Sequence, residues 1–225
     1  MPFPLRCEMS LFVFGGQTTC MEANGDEMRK VAQIVKGAAG RCGFLIEEVH
    51  LCFPPESTGR RWAVYQPTQA EVASHGGWWW EAERATTTVP RLASDLYKSA
   101  SEPWLLLDEA VKRRGQVLLC GFSNGAIVAT EYATTHPERV RGLLLLSGLP
   151  ASSQQRSVAT GHKPHPSTCL TCGSREGYFG GLCAFQSVAR DFGADLVLFA
   201  GGHCEEDEAA LVDATHRVLR GPSSA

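Results

Sequence analysis

Short apolar segments that do not alternate with polar residues constrain the fold of this chain most strongly. Strands that are apolar on both faces are typical of a parallel sheet covered by helices. Helical patterns occur at 24–39, 124–135 and about 205–219. These helical patterns alternate with the apolar segments along the chain, which predicts an α/β domain with a mostly parallel sheet of about six strands and helices on both faces. The apolar segments, each followed by a glycine or a polar turn, are 11–14, 44–46 with 49–53, 117–120, 143–146, 168–172 and 196–200.

Length and charge limit the possible domains and partners. A chain of 225 residues has the size of one large domain, so we expect a single domain over 1–225. Its formal net charge of −3 offers no basic surface for nucleic acid. Two segments fit the strand–helix alternation poorly. We interpret 54–104 as a lid or substrate-pocket excursion and 150–167 as an exposed loop.

The cysteines bear on compartment and metal binding. There are nine, an odd number at irregular spacing, and no secretory signal accompanies them. No apolar run approaches the roughly 20 residues of a membrane span, so we expect a cytoplasmic protein with reduced thiols and no stable membrane insertion. Cys169-x-x-Cys172 has a zinc-ligand spacing, with Cys183 and Cys204 as further thiols. Residues three apart in a strand point to opposite faces, so we predict no metal site there.

The segment Gly121-Phe122-Ser123-Asn124-Gly125 directly follows one apolar segment and directly precedes a helical pattern. A nucleophile elbow requires this order of strand, sharp turn and helix. The flanking glycines permit a turn too tight for side chains, and the turn raises the serine hydroxyl above the sheet. The alternative is an ordinary strand–helix turn in which Ser123 only caps the helix. The context favours Ser123 as a nucleophile.

A serine nucleophile needs a base, and the base needs an orienting acid. In a parallel α/β sheet with a nucleophile elbow, the acid and then the histidine follow the serine along the chain, each after a strand. Glu176 follows segment 168–172, and His203 follows segment 196–200. Asp191 and Asp195 are alternative acids, but they precede the last strand and would lie at its other end. We therefore predict a triad of Ser123, Glu176 and His203.

The oxyanion of the intermediate needs two backbone donors. The amide of Asn124, directly after the nucleophile, is expected to be one. The second is expected from the loop after the first strand, where Gly16 is favoured and Gln17 is the alternative because the register of a loop cannot be read from sequence.

Three consecutive tryptophans, Trp78, Trp79 and Trp80, cannot all face one core. We interpret them, together with Phe122 inside the serine motif, as candidates for a surface that binds an acyl chain. Ordinary core and loop packing of the tryptophans is the alternative.

These motifs together resemble the α/β-hydrolase superfamily. The segments Phe14-Gly15-Gly16, Gly121 to Gly125, His136 to Gly142 and Gly202-His203 are similar to its small serine esterase branch, which includes phospholipases/carboxylesterases, acyl-protein thioesterases and fungal-type serine hydrolases. The resemblance implies an α/β-hydrolase fold with the elbow after the third strand, and an enzyme that needs no cofactor. The chain departs from the usual family residues at Phe14, Asn124 and Glu176, where His, Gln and Asp are typical.

We therefore predict a serine hydrolase that cleaves carboxylic esters or thioesters through an acyl-enzyme intermediate. Its partner would be a small acyl ester or thioester substrate. A catalytically silent binding protein on the same fold is one alternative. A serine-dependent lyase or acyltransferase that uses the same triad is another. Neither the natural substrate nor the oligomeric state follows from the sequence.

Overall fold

The computed structural model describes residues 7–15, 21–52, 101–123, 125–150, 166–177, 181–202 and 207–220, with the side chains of 21–26 and 101–104 left aside. Six strands alternate with helices along these ranges. The strands are β1 (Cys7–Phe14), β2 (Phe44–Cys52), β3 (Val117–Phe122), β4 (Val140–Leu146), β5 (Ser167–Gly173) and β6 (Asp195–Phe199). The helices are α1 (Met21–Arg41), α2 (Ser101–Arg114), α3 (Gly125–Thr135), α4 (Gly181–Phe192) and α5 (Glu208–Arg220), with a 3-10 turn at Pro137–Arg139.

The strands form one sheet in the order β2-β1-β3-β4-β5-β6, and every neighbouring pair is parallel. All six strands therefore end on the same side of the sheet, which we call its carboxyl end. The other side is the amino end. The predicted α/β fold and its six strands are confirmed, because each apolar segment of the sequence lies in or at the end of one strand.

Each face of the sheet carries its own apolar core. Helices α2, α3 and α4 cover one face, and their buried residues pack against alternate strand positions such as Phe12, Leu119 and Leu145. Helices α1 and α5 cover the opposite face against Leu11, Leu118 and other residues of the intervening positions. Burying a leucine or phenylalanine stabilises the folded state by roughly 1.5–3 kcal/mol, which makes these two layers the main source of stability.

Local signals account for the helices that flank the site. In α1, Met28, Val31, Val35 and Ala39 are buried at helical spacing. The carboxylate of Asp207 accepts a hydrogen bond from the Ala210 amide at 2.9 Å and so caps the start of α5. No helix in the described ranges is long and apolar enough to cross a membrane.

Among the helices of the described ranges, two have no predicted bounds in the sequence. Helix α2 starts at Ser101, within the last residues of the range 54–104, and the part of that range from 54 to 100 lies outside the described residues. Helix α4 supplies the connection between β5 and β6. Residues 151–165 of the predicted loop also lie outside the description, and β5 begins at Ser167.

Candidate active site

Ser123 directly follows β3 and precedes α3 by two positions. Its φ is +52°, which is a left-handed conformation. This conformation is unfavourable in free energy for any residue that has a side chain. The Ser123 carbonyl accepts a hydrogen bond from the Ala126 amide at 3.0 Å, and the Ser123 amide donates to the Leu146 carbonyl at 2.9 Å. Ser123 is nearly buried, at 3% exposure. It thus occupies a sharp, strained strand-to-helix turn at the carboxyl end of the sheet.

The glycines on either side of Ser123 are needed for space. A Cβ on Gly121 would lie 2.6 Å from the Gly125 carbonyl oxygen, and one on Gly125 would lie 2.2 Å from the Phe14 carbonyl oxygen. The start of α3 is therefore packed directly on the end of β1. The chain at Phe14 and Gly15 leads into the loop predicted to supply the second oxyanion donor, and the Gly15 amide donates to the Cys52 carbonyl at 2.9 Å.

Glu176 lies three residues beyond β5 at the same end of the sheet and is 7% exposed. Its amide donates to the Gly173 carbonyl at 3.0 Å, which closes a tight turn. Two further backbone bonds join this turn to the end of β6 and the chain after it: the Ser174 amide donates to the Phe199 carbonyl at 2.9 Å, and the Arg175 amide donates to the Gly201 carbonyl at 2.8 Å.

The segment after β6 is packed just as closely as the nucleophile turn. A Cβ on Gly173 would lie 2.5 Å from the Gly201 carbonyl oxygen. Gly201 and Gly202 lead directly into His203, which itself lies outside the described residues. The turn that carries Glu176 and the segment that leads to His203 are therefore one hydrogen-bonded unit.

The described residues bring three parts of the predicted triad to one end of the sheet: Ser123 after β3, Glu176 after β5 and the approach to His203 after β6. The alternative acids are elsewhere, since Asp191 is near the end of α4 and Asp195 begins β6 at the amino end. Phe122 is half-buried and packs against the core on the α1 and α5 face. The remaining candidates lie outside the described residues: Gly16, Gln17, Trp78, Trp79, Trp80, Asn124 and His203.

The thiols of the C-x-x-C segment are separated by the sheet. Cys169 packs in the core beneath α1 and α5, whereas Cys172 packs in the core beneath α2, α3 and α4. Burial raises the pKa of the Cys169 thiol to about 12, so it stays protonated near neutral pH. A metal ion binds thiolates, and one ion cannot reach both faces of the sheet. The pair is therefore part of the apolar core.

Sequence reasoning missed one element of this end of the sheet. Ser147 follows β4 directly, is fully buried, and has a left-handed φ of +43°. Its amide donates to the carbonyl of Thr171 at 3.2 Å and to the side-chain oxygen of Thr171 at 3.3 Å. The available signal was a Ser-Gly pair at the end of a buried strand, which by itself indicates only a turn.

Comparison with known proteins finds one similar family. A family model described as phospholipase/carboxylesterase matches residues 65–174, a range that contains Ser123. No curated protein sequence matches the chain significantly.

Several solved structures share the fold. A SOBER1 variant from Arabidopsis thaliana is 14% identical with a TM-score of 0.60, over 94% of this chain and 98% of that one. Esterase PE8 is 17% identical with a TM-score of 0.57, over 93% and 90%. A carboxylesterase from Mesorhizobium loti is 20% identical with a TM-score of 0.53, over 95% and 89%. The chain has the α/β-hydrolase fold and resembles esterase- and carboxylesterase-like hydrolases.

Proposed function

We propose that this chain is a serine hydrolase that cleaves carboxylic esters or thioesters through an acyl-enzyme intermediate. The observation that carries the proposal is the conformation of Ser123, a non-glycine residue with φ of +52° in a turn where glycine packing leaves room for nothing larger. Strain of this kind concentrates at functional sites, and a hydroxyl held at a helix start faces free N–H groups. The resemblance to phospholipases/carboxylesterases supports the same chemistry.

The proposed reaction has two steps. His203 accepts the proton of the Ser123 hydroxyl as its oxygen attacks the substrate carbonyl carbon, and Glu176 orients the imidazole and stabilises its positive charge. The bond to the leaving group then breaks, and the imidazolium donates the proton to the departing alcohol or thiol. Water, deprotonated by His203, attacks the acyl-enzyme, and Ser123 recovers its proton as the acid leaves.

The tetrahedral intermediates carry negative charge on the former carbonyl oxygen. The amides of Asn124 and of Gly16 or Gln17 are proposed to stabilise it, a contribution worth about 10²–10³ in rate per donor in serine hydrolases of other folds. Phe14 and Gly15 support this assignment, because the glycine contact at Gly125 holds the end of β1 against the nucleophile turn.

Trp78, Trp79, Trp80 and Phe122 are proposed to contact the acyl group. We further propose that the protein acts in the cytoplasm. The cysteines of the described ranges, including the exposed Cys7 and Cys183, are free thiols, which suits a reducing compartment.

A fluorophosphonate probe tests the proposal, because it reacts covalently with an activated serine. The wild-type protein should be labelled at Ser123, and Ser123→Ala should lose labelling together with at least a 10³-fold loss in hydrolysis of p-nitrophenyl butyrate, an order of magnitude typical of nucleophile removal. Ser174→Ala is the matched control, since Ser174 is an exposed serine at the same end of the sheet. Absence of labelling in folded wild type would instead identify a silent binding protein on this fold.

A panel of substrates then separates the remaining alternatives. Acetyl, butyryl and octanoyl esters and thioesters give the acyl preference, and Trp79→Ala should reduce hydrolysis of the octanoyl substrate more than that of the acetyl substrate. Equal losses across chain lengths would contradict the acyl-binding role of the tryptophans. Transfer to an added alcohol that exceeds hydrolysis would indicate an acyltransferase.

A further inference from the structure

Ser123 and Ser147 are the two non-glycine residues with positive φ in the described ranges, and they are neighbours. Phe122 of β3 pairs with Leu146 of β4, so the residues that follow them lie side by side at the carboxyl end of the sheet. Each left-handed conformation is unfavourable for a residue with a side chain, so the surrounding structure must hold it in place. Two adjacent strained residues indicate that the restraint is shared.

The chain around Ser147 contacts the nucleophile turn at two points. The Ser123 amide donates to the carbonyl of Leu146, the residue before Ser147. On the other side, Gly148 lies so close to Ser123 that a Cβ there would be 2.2 Å from the Ser123 carbonyl oxygen. The peptides before and after Ser147 thus touch the nitrogen and the oxygen of Ser123. A rotation of the Ser147 turn would displace the nucleophile.

Thr171 holds Ser147 from the next strand. The Ser147 amide is shared between the Thr171 carbonyl and its Oγ1, at 3.2 and 3.3 Å. Thr171 is fully buried, and β5 ends two residues later in the turn that carries Glu176. The main-chain carbonyl alone would satisfy the amide. The second acceptor restricts the orientation of the Ser147 peptide, because both oxygens must be reached by one N–H.

We propose that Thr171 is a positioning residue for Ser123. Its hydroxyl oxygen keeps Ser147 in the left-handed conformation, and the peptides on both sides of Ser147 then fix the nucleophile turn. In this role Thr171 acts on Ser123 through Ser147. The effect on acylation rests on the proposed hydrolase function, whereas the restraint on the Ser123 and Ser147 amides does not.

The test compares Thr171→Val, which keeps the shape but removes the acceptor, with Thr171→Ser, which keeps it. Two readouts are needed: the rate of fluorophosphonate labelling at Ser123, and the hydrogen-exchange rates of the Ser123 and Ser147 amides measured by NMR. Loss of one neutral acceptor should accelerate exchange and slow labelling by about three- to tenfold, and Thr171→Ser should restore both. With an ester substrate, kcat should fall by the same factor at unchanged KM.

Thr168→Val is the matched control. Thr168 is a buried threonine at the other end of β5, and its hydroxyl donates to the Pro166 carbonyl at 2.8 Å. This variant should change neither the two amides nor the labelling rate. Equal exchange in Thr171→Val and wild type, or an equal change in Thr168→Val, would overturn the proposal.

The two readouts separate this inference from the proposed hydrolase function. If the wild type is not labelled, the hydrolase function fails, and the exchange rates still decide whether Thr171 restrains Ser123. If labelling is normal and exchange is unaffected by Thr171→Val, the function stands and the positioning role is wrong.

Discussion

Two groups of glycines, one at each end of the sheet, are needed for opposite reasons. At the carboxyl end, Gly121, Gly125, Gly148 and Gly173 have no positive φ, yet a Cβ on any of them would lie 2.2–2.6 Å from another backbone atom. At the amino end, Gly43, Gly115 and Gly193 have φ between +58° and +86°, and a Cβ there would meet nothing within 4 Å.

The contrast distinguishes the carboxyl end of the sheet, which holds the candidate site, from the amino end, where helices terminate. Gly115 and Gly193 directly follow α2 and α4 and donate back into the last turn of each helix, as αL caps do. The carboxyl-end glycines instead allow neighbouring backbones to touch. Mutations at the two ends should therefore fail in different ways: those at the carboxyl end in activity, and those at the amino end in stability alone.

The largest effect is expected at Glu176, on activity alone. Glu176→Gln keeps the shape but cannot stabilise an imidazolium, so labelling and ester hydrolysis should fall by about 10³–10⁴-fold, as when the triad acid is removed elsewhere. Glu138→Gln, an exposed carboxylate in the 3-10 turn after α3, is the control and should keep full activity. Wild-type activity in Glu176→Gln would remove Glu176 from the triad.

Gly125→Ala should lose both stability and labelling. The new methyl group would meet the Phe14 carbonyl, and because that contact is with backbone rather than a flexible side chain, the cost should be about 3 kcal/mol of unfolding free energy in urea. Gly40→Ala on α1 is the matched control, since nothing lies within 4 Å of its Cβ position and alanine favours helices. It should gain roughly 0.5–1 kcal/mol. A neutral Gly125→Ala would refute the close packing of α3 on β1.

Gly43→Ala should affect stability alone. Its φ of +86° is unfavourable for alanine, so the unfolding free energy should fall by about 1 kcal/mol while the labelling rate of the folded protein stays at the wild-type value. Gly43→Asn should lose less, because asparagine tolerates positive φ better. A change in labelling would mean that the two ends of the sheet are coupled.

The smallest effect is expected for an ion pair at the amino end. The hydrogen bond from Arg113 to Glu48, 2.7 Å long, is the main reason that the pKa of Glu48 lies below its usual 4.5. A carboxylate with a lowered folded-state pKa stabilises the fold above pH 4.5, and this contribution disappears as the pH falls through the lowered value.

Arg113→Ala should therefore cost under about 1 kcal/mol at pH 7 and nothing once Glu48 is protonated in both states. Urea unfolding at pH 7 and at successively lower pH measures the difference. Lys112→Ala, which breaks the more exposed pair with Glu109, is the control and should show a smaller pH-dependent change. A loss for Arg113→Ala that stays the same at every pH would contradict the ionic origin.

How far the sequence predicts this molecule depends on which signal each element carries. The inner strands β1, β3, β4 and β5 were predictable because burial on both faces leaves an apolar run without alternation. The edge strands β2 and β6 are only partly buried, and their shorter apolar runs are a weaker signal. Helix α4 has no counterpart among the predicted helices, although Phe185, Val188, Ala189 and Phe192 are buried at helical spacing. In α2 the run of three leucines does not indicate which side of the helix is buried, since Leu107 is buried while Leu105 and Leu106 are exposed.

Some residues of the candidate site could also be predicted from the sequence, and others could not. Ser123 and Glu176 were placed at strand ends because a parallel sheet puts all those ends together. Ser147 could not be found, since a serine with positive φ has no sequence signature when the restraint comes from Thr171, 24 residues away. Packing between strands, rather than local preference, determines that conformation.

The burial of single thiols on opposite faces of the sheet provides internal probes of opening. Cys52 packs in the core beneath α2, α3 and α4, and Cys169 packs beneath α1 and α5; burial raises the pKa of each to about 12. Neither can be alkylated at neutral pH until its own layer separates from the sheet. Pulsed alkylation would therefore report, thiol by thiol, whether the two helical layers detach together or one before the other.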